Sequence, residues 1–144
     1  MAVDVTVEHA IAAPREQVAA LAMDPRNDRR WIGALAEVNQ LTDGPVGPGT
    51  RVERIARFLG RRITYVNEIT ELEPGRRLAM RSIEAPFPLQ VTYEFEDAPG
   101  GGTLARIRTS GDTGRYYAFA GPLLATMVRR GVARDLRRLE HVLE

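Results

Sequence analysis

Three side chains in the middle of the sequence could polarise a carbonyl oxygen: Arg54, Tyr65 and Tyr93. A base turns a ketone into an enol more easily when an arginine or a tyrosine stabilises the oxygen that gains negative charge. Arg54 alternates with the apolar residues Val52 and Ala56, so the strand phase predicts that it points inward. A β-bulge in that strand would turn it outward, and the sequence leaves both orientations open. If the protein is an enzyme, these three residues are the candidates for catalysis.

The strand that begins near Ile63 carries polar groups on one of its two phases. The phase that contains Tyr65 and Asn67 is predicted to face inward, because the opposite phase would bury Glu68 without a partner. The next two strands add three residues to the same face: Met80, Ser82 and Tyr93. A buried hydroxyl or amide needs a hydrogen-bond partner, which either a neighbouring residue or a ligand supplies.

The composition excludes several kinds of reactive site. The sequence has no cysteine, which excludes disulfides, thiolate metal ligands and a cysteine nucleophile. Its two histidines do not favour a metal site, since His9 is predicted on an exposed phase of the first strand and His141 on a solvated helix face. There is no nucleophile elbow of a serine hydrolase. The formal net charge of +1 gives no reason to expect nucleic acid as a partner. We expect neither a metal nor an organic cofactor.

Periodicity and turn residues outline the elements that position these side chains. A first strand runs to about Ile11, a short helix follows Pro14, and one or two further helical turns lie between Asn27 and Ile32. Glycine and proline turns then separate six predicted strands, near residues 36–42, 51–59, 62–72, 76–84, 88–97 and 103–111. Strands that are joined by short turns pair antiparallel, so we expect a seven-stranded antiparallel sheet.

A long helix is predicted after Gly114, and its two halves differ. One apolar stripe should cover the sheet, and it contains Leu124, Val128, Val132, Leu136, Leu139, Val142 and Leu143. Asp135 lies at the edge of this stripe, either as a salt-bridge partner at the rim or as a polar group that points inward. In the first half, apolar residues also extend around the outer side, namely Tyr116, Phe119, Leu123 and Met127. A loop, a mobile gate or a homodimer through Phe119, Leu123 and Met127 would cover them.

The length of the chain predicts one domain, which spans residues 1–144. No stretch approaches the roughly 18 consecutive apolar residues that a membrane span requires. The N-terminus alternates and carries Asp4, unlike a secretory signal, so we expect a soluble, cytoplasmic protein.

Short segments along the whole chain carry a resemblance to a known family. They are Ile11-Ala12-Ala13-Pro14-Arg15-Glu16-Gln17-Val18 at the first strand-to-helix corner, Trp31, Gly47-Pro48-Gly49-Thr50, Glu71-Leu72-Glu73-Pro74 with Arg77-Leu78, and finally Leu136, Leu139 and Leu143-Glu144. In this order they resemble the START-like helix-grip superfamily (SRPBCC), in its polyketide cyclase/dehydrase and lipid-transport branch. The resemblance implies an α+β helix-grip fold, in which a seven-stranded curved antiparallel sheet wraps around a long C-terminal helix, with two short helices after the first strand.

A sheet that curls around one helix leaves a space that a ligand can fill. The resemblance therefore implies a protein that binds a hydrophobic small molecule, lipid-like or polyketide-like, in an internal cavity. The expected ligand-binding residues are Trp31, Tyr65, Asn67, Met80, Ser82, Tyr93, Leu124 and Val128. Trp31 is expected either at the cavity mouth or in the core.

Two other functions remain open at this point. One is a polyketide aromatase/cyclase or dehydrase that needs no cofactor, and the other is a protein-interaction module with a closed cavity. An inward Arg54 that is hydrogen-bonded near Tyr65 or Tyr93 would favour the enzyme. A large dry cavity with apolar walls would favour the carrier, and a filled one would favour the interaction module.

Overall fold

The order of strands and helices agrees with the order predicted from the sequence. The structure is a computed structural model that describes residues 2–58, 60–112 and 121–144. The elements in this part of the chain are β1 (Ala2–Ile11), α1 (Arg15–Ala22), α2 (Asp28–Trp31), β2 (Leu35–Gln40), β3 (Arg51–Phe58), β4 (Arg61–Glu73), β5 (Arg77–Glu84), β6 (Leu89–Asp97), β7 (Thr103–Asp112) and α3 (Gly121–Val142).

The strands form one seven-stranded sheet in the order β1-β7-β6-β5-β4-β3-β2. Every neighbouring pair is antiparallel, which confirms the predicted pairing. The ends of β2 to β7 differ by no more than two residues from the predicted ends. The ends agree because glycines with positive φ form turns between strands, as Gly75 (φ 78°) does between β4 and β5.

The helix α3 lies against β1 and α2. Its 22 described residues make about six turns at 3.6 residues per turn. Leu136 and Leu139 are both fully buried, as predicted for the helix-sheet core. The predicted beginning of the helix after Gly114, together with Tyr116 and Phe119, lies outside the described residues.

The apolar core has two parts. The larger part contains Trp31, Phe95 and Leu139 and packs α1, α2 and the second half of α3 against the sheet. The smaller part contains Val5, Ile63 and Leu124 and lies under the first half of α3. The division matters for function because the smaller part surrounds a cavity.

The prediction that His9 lies on an exposed phase of β1 is wrong. His9 shares its phase with Val5 and Val7, and this phase faces the helix. The side chain is half-buried, and its Nε2 lies 3.1 Å from Oε1 of Glu140 on α3. His141 is exposed, as predicted.

Among the helices of the described residues, none is both long and apolar enough to cross a membrane.

Candidate ligand-binding site

An apolar cavity of about 200 Å³ lies between the sheet and the first half of α3. The sheet contributes Ala56, Ile63 and Tyr65 to its wall, and α3 contributes Leu124 and Val128. None of the described residues that line it carries a formal charge. An engineered cavity of about 150 Å³ is large enough to bind benzene. The cavity therefore has room for a small molecule of one or two rings.

The strand β3 brings Arg54 to the inner face of the sheet, next to this cavity. Val52, Arg54 and Ala56 are all buried, so they share the inward phase. The pairing of β3 with β4 runs without a register shift from Arg51 to Phe58. Because no bulge interrupts that ladder, the inward alternative for Arg54 is the one that the structure adopts.

The buried guanidinium of Arg54 forms an ion pair with Asp28. Its Nε donates to Oδ2 of Asp28 at 2.9 Å, and its Nη2 lies 2.8 Å from the same oxygen. The two residues are exposed by only 4% and 1%, respectively. The third guanidinium nitrogen, Nη1, contacts Sδ of Met80 at 3.7 Å. The positive charge of Arg54 is therefore neutralised where it enters the core.

Burial and charge oppose each other at this ion pair. Burial raises the pKa of Asp28 to about 6, although the charge and hydrogen bond of Arg54 act to lower it. Burial also favours the neutral form of Arg54, but the nearby charge of Asp28 holds the pKa of the guanidinium above its ordinary value. Arg54 is thus a permanent cation, whereas Asp28 can gain a proton in mildly acidic solution.

Tyr65 on β4 and Tyr93 on β6 lie close enough to the pair for its charges to act on their pKa values. Tyr65 lies directly opposite Arg54 in the β3–β4 ladder. Burial raises the pKa of both phenols, against the influence of Arg54. Both phenols therefore keep their protons at neutral pH and can donate hydrogen bonds.

Two buried polar atoms have no hydrogen-bond partner in the described part of the chain: Nε1 of Trp31 and Oδ1 of Asn67. Trp31 packs edge-to-face on Tyr93, with 5.6 Å between ring centroids and 67° between ring planes. A buried donor or acceptor without a partner costs about 1–3 kcal/mol. Neither residue lines the cavity, so both atoms lie in the packed interior.

The structure separates the predicted ligand-binding residues into three groups. Tyr65, Leu124 and Val128 line the apolar cavity. Trp31, Met80 and Tyr93 are buried in the larger part of the core, and Asn67 is buried on β4. Ser82 is different, because its Oγ accepts a hydrogen bond from the backbone N–H of Leu89 at 2.8 Å. That hydroxyl holds the β5–β6 connection.

Sequence reasoning missed Asp28 and much of the cavity wall. Asp28 belongs to a helix of four residues, which is too short to show a periodic pattern. The wall residues that were not predicted include Ala34, Ala56, Ile63 and Phe87. Phase could have identified Ala56 and Ile63, since each shares the inward face with a predicted residue.

Asp135 lies at the rim of the helix-sheet packing and not inside the cavity. Its Oδ1 accepts a hydrogen bond from the backbone N–H of Gly33 at 3.0 Å and lies 3.6 Å from Nη1 of Arg138. Burial raises the pKa of Asp135, while these two neighbours act to lower it. Of the two alternatives predicted for Asp135, the structure shows the salt-bridge partner at the rim.

A second concavity, of about 790 Å³, lies outside the sheet between α1, the loop around Pro45 and the β4–β5 hairpin. It is a groove open to solvent. Several charged residues at its edge are paired, as Arg26 is with Asp24 at 2.8 Å. The larger volume therefore does not make it the better site for an apolar molecule.

Within residues 2–58, 60–112 and 121–144, no cluster of histidine, aspartate or glutamate has an arrangement that could hold a metal ion.

Comparison with known proteins agrees with this architecture. The family described as polyketide cyclase / dehydrase and lipid transport matches residues 2–144. No curated protein matches the sequence.

Solved structures with the same fold come from several bacteria. TTHA0849 from Thermus thermophilus has a TM-score of 0.82 at 22% identity, with 96% of this chain and 94% of that chain covered. The Zhui aromatase/cyclase from Streptomyces sp. R1128 also has a TM-score of 0.82, at 18% identity, with 98% and 93% covered. A START superfamily protein from Mycobacterium smegmatis has a TM-score of 0.79 at 13% identity, with 97% and 94% covered. At these identities the likeness shows the fold alone.

Proposed function

The chain belongs to the polyketide cyclase / dehydrase and lipid transport family, with the START-like helix-grip fold, and on this premise we propose that it binds a hydrophobic small molecule between the sheet and α3. The observation that carries the proposal is the apolar cavity of about 200 Å³ under the first half of α3. We take residues 1–144 to be one ligand-binding domain.

The chemistry of the walls supports this function. Small-molecule sites are mostly apolar, with a few polar groups that fix the orientation of the ligand. Here the walls are formed by side chains such as Ile63, Leu124 and Val128, and the phenol of Tyr65 provides a polar group. The volume is below the roughly 300–1,000 Å³ of sites for drug-sized molecules, so the natural ligand is small or α3 moves to admit it.

A cavity-filling substitution tests the proposal. Ala56 lines the cavity and is 8% exposed, so the ring in Ala56→Phe should occupy the space of the ligand. Thr64→Phe is the matched control, because Thr64 is exposed on the opposite face of the neighbouring strand β4. We would measure uptake of an environment-sensitive apolar dye, and native mass spectrometry of freshly purified protein would detect a retained ligand. Circular dichroism would confirm folding, since overpacking costs about 1–3 kcal/mol.

The expected result is strong dye uptake by the wild type and by Thr64→Phe, with a loss of at least about tenfold in Ala56→Phe. A folded Ala56→Phe variant that binds the dye as well as the wild type would move the site elsewhere. If the wild type binds no dye and carries no ligand, the interaction module becomes the better interpretation.

A second candidate function is catalysis, as a cofactor-independent aromatase/cyclase or dehydrase. The inward position of Arg54 opposite Tyr65 favours it, because a cation and a phenol could stabilise an enolate oxygen. The hydrogen bonds of Arg54 go to Asp28, however, which weakens its ability to polarise a substrate. Incubation with a small β-hydroxyketone, followed by mass spectrometry for loss of water, separates an enzyme from a carrier.

The part of α3 that lines the cavity also carries an exposed apolar residue. Leu123 is 61% exposed and precedes Leu124, which lines the cavity. Met127, one turn later, is half-buried. The gate and the homodimer both remain proposals for this patch.

A further inference from the structure

Behind one wall of the cavity, a neutralised cation lies next to a phenol that lines the cavity. Arg54 lies opposite Tyr65 and two residues before Ala56 on the same face, and both of these neighbours line the cavity. Its charge is already taken up by Asp28, through two contacts below 3.0 Å. The described residues of the cavity wall supply no other charge.

We propose that the cavity selects neutral ligands that carry a hydroxyl group and rejects carboxylates. This inference rests on the proposed function and adds the chemical class of the ligand. An ionised carboxylate that leaves water needs a cation with free hydrogen-bonding capacity, since burial of an unpaired charge is strongly unfavourable. Arg54 lies behind the cavity wall, and its guanidinium is already paired with Asp28.

A hydroxyl group, in contrast, fits the groups that are present. It can accept a hydrogen bond from a phenol such as Tyr65, and it can donate one to an acceptor. Oδ1 of Asn67 is a buried acceptor, and Nε1 of Trp31 is a buried donor, and neither has a partner among the described residues. Asn67 lies two residues from Tyr65 on β4. Neither Asn67 nor Trp31 is among the lining residues, and the polar side chains at the cavity wall, Tyr65 and Thr109, offer hydrogen bonds without net charge.

Three probes with one carbon skeleton test the proposal: naphthalene, 2-naphthol and 2-naphthoate. Affinities would be measured at about pH 7.5, where a phenol is neutral and an aromatic carboxylate is ionised. The wild type should bind 2-naphthol about three- to tenfold more tightly than naphthalene, as expected for one net hydrogen bond. It should bind 2-naphthoate on the order of 100-fold more weakly than 2-naphthol.

The decisive variant is Asp28→Asn, which frees Arg54. The preference should shift towards 2-naphthoate by about tenfold or more, the range of a hydrogen bond to a charged group. The double variant Asp28→Asn with Arg54→Met should reject the carboxylate again. Asp4→Asn is the matched control, because Asp4 pairs with the exposed Arg108 and should leave the preference unchanged.

A measurement on the wild type covers the case in which the variants do not fold. At about pH 5 Asp28 should be protonated, so the wild type should bind naphthalene-2-sulfonate, an anion that stays ionised at both pH values, more tightly relative to 2-naphthol than at about pH 7.5. The charged and titratable groups that bear on the Asp28–Arg54 pair and its tyrosines are Asp24 before α2, Arg54 on β3, Tyr65 on β4, Tyr93 on β6 and Asp135 on α3. Asp135→Asn should retain the pH effect, which assigns it to Asp28.

The possible failures are distinguishable. If 2-naphthol binds and 2-naphthoate binds equally well, the inference is overturned and the proposed function stands. The inference is also overturned if neither Asp28→Asn nor a change to about pH 5 alters the preference that the wild type shows for the neutral ligand at about pH 7.5. If none of the three probes binds the wild type, the proposed function fails together with the inference.

Discussion

The buried pair of Asp28 and Arg54 makes a prediction about stability that depends on pH. The pKa of Asp28 is about 6 in the folded protein, against an ordinary value of 3.8. A carboxyl group with a raised pKa holds its proton more tightly in the folded state. The stability that this tighter proton binding provides is therefore fully present below about pH 4 and is lost as the pH rises through about 6. The rise of this pKa from 3.8 to about 6 corresponds to a free-energy difference of about 3 kcal/mol.

The substitution Asp28→Asn isolates this effect, because the amide side chain that it introduces cannot titrate. The variant leaves the buried Arg54 without its ionic partner, so its unfolding free energy is compared with that of the wild type by its change with pH and not by its absolute value. Between about pH 4 and 7.5 the wild type should lose up to about 3 kcal/mol of unfolding free energy relative to the variant, because only the wild type has a buried carboxyl that ionises as the pH rises. Urea unfolding at several pH values, followed by the fluorescence of the single tryptophan, Trp31, gives both curves.

The opposite slope would refute this reasoning. If the wild type gains stability over Asp28→Asn as the pH rises, the attraction to Arg54 outweighs desolvation and the pKa of Asp28 lies below its ordinary value. Asp24→Asn is the control in which the stability difference should change with pH in the opposite direction. Arg26 lowers the pKa of Asp24, so the wild type should gain stability over this variant as the pH rises.

Two further predictions concern the helix. Leu136→Ala and Leu139→Ala should each lower the unfolding free energy by about 2–5 kcal/mol, because both side chains are fully buried against the sheet. Denaturant unfolding measures this loss, and a loss below about 1 kcal/mol in both variants would mean that α3 is docked differently. Leu123→Ser should change the oligomeric state if the exposed leucine belongs to an interface, or the rate of dye uptake if it belongs to a gate. Size-exclusion chromatography measures the first and stopped-flow fluorescence the second, and no change in either would make Leu123 an ordinary surface residue.

Much of the fold could be predicted because its signals are local. Leu89, Val91, Tyr93 and Phe95 alternate with polar residues, which is a local signal for β6, and glycine and proline turns separate the strands. The phase of β3 favours an inward Arg54 but leaves a bulge open, and the inward orientation holds because the register shifts fall in the β2–β3 and β4–β5 pairings and not in β3–β4. His9 was misassigned although it shares the phase of Val5 and Val7.

The site could be predicted only in part because its contacts are distant in the sequence. Asp28 and Arg54 are 26 residues apart, and their contact depends on how α2 docks on the sheet. Ser82 lies on the predicted inward phase, but the hydroxyl is taken by Leu89, which no pattern within β5 reveals. The position of the cavity follows from where α3 crosses β1, and that geometry has no signature in either element alone.

The most direct test of ligand binding under α3 is methyl NMR of the protein during titration with 2-naphthol. We expect the largest chemical-shift changes at the methyl groups of Ile63, Leu124 and Val128, which line the cavity. Val46 and Leu72, in the outer groove, should stay unchanged. Shift changes confined to those two groove residues, with Ile63, Leu124 and Val128 unaffected, would contradict the account.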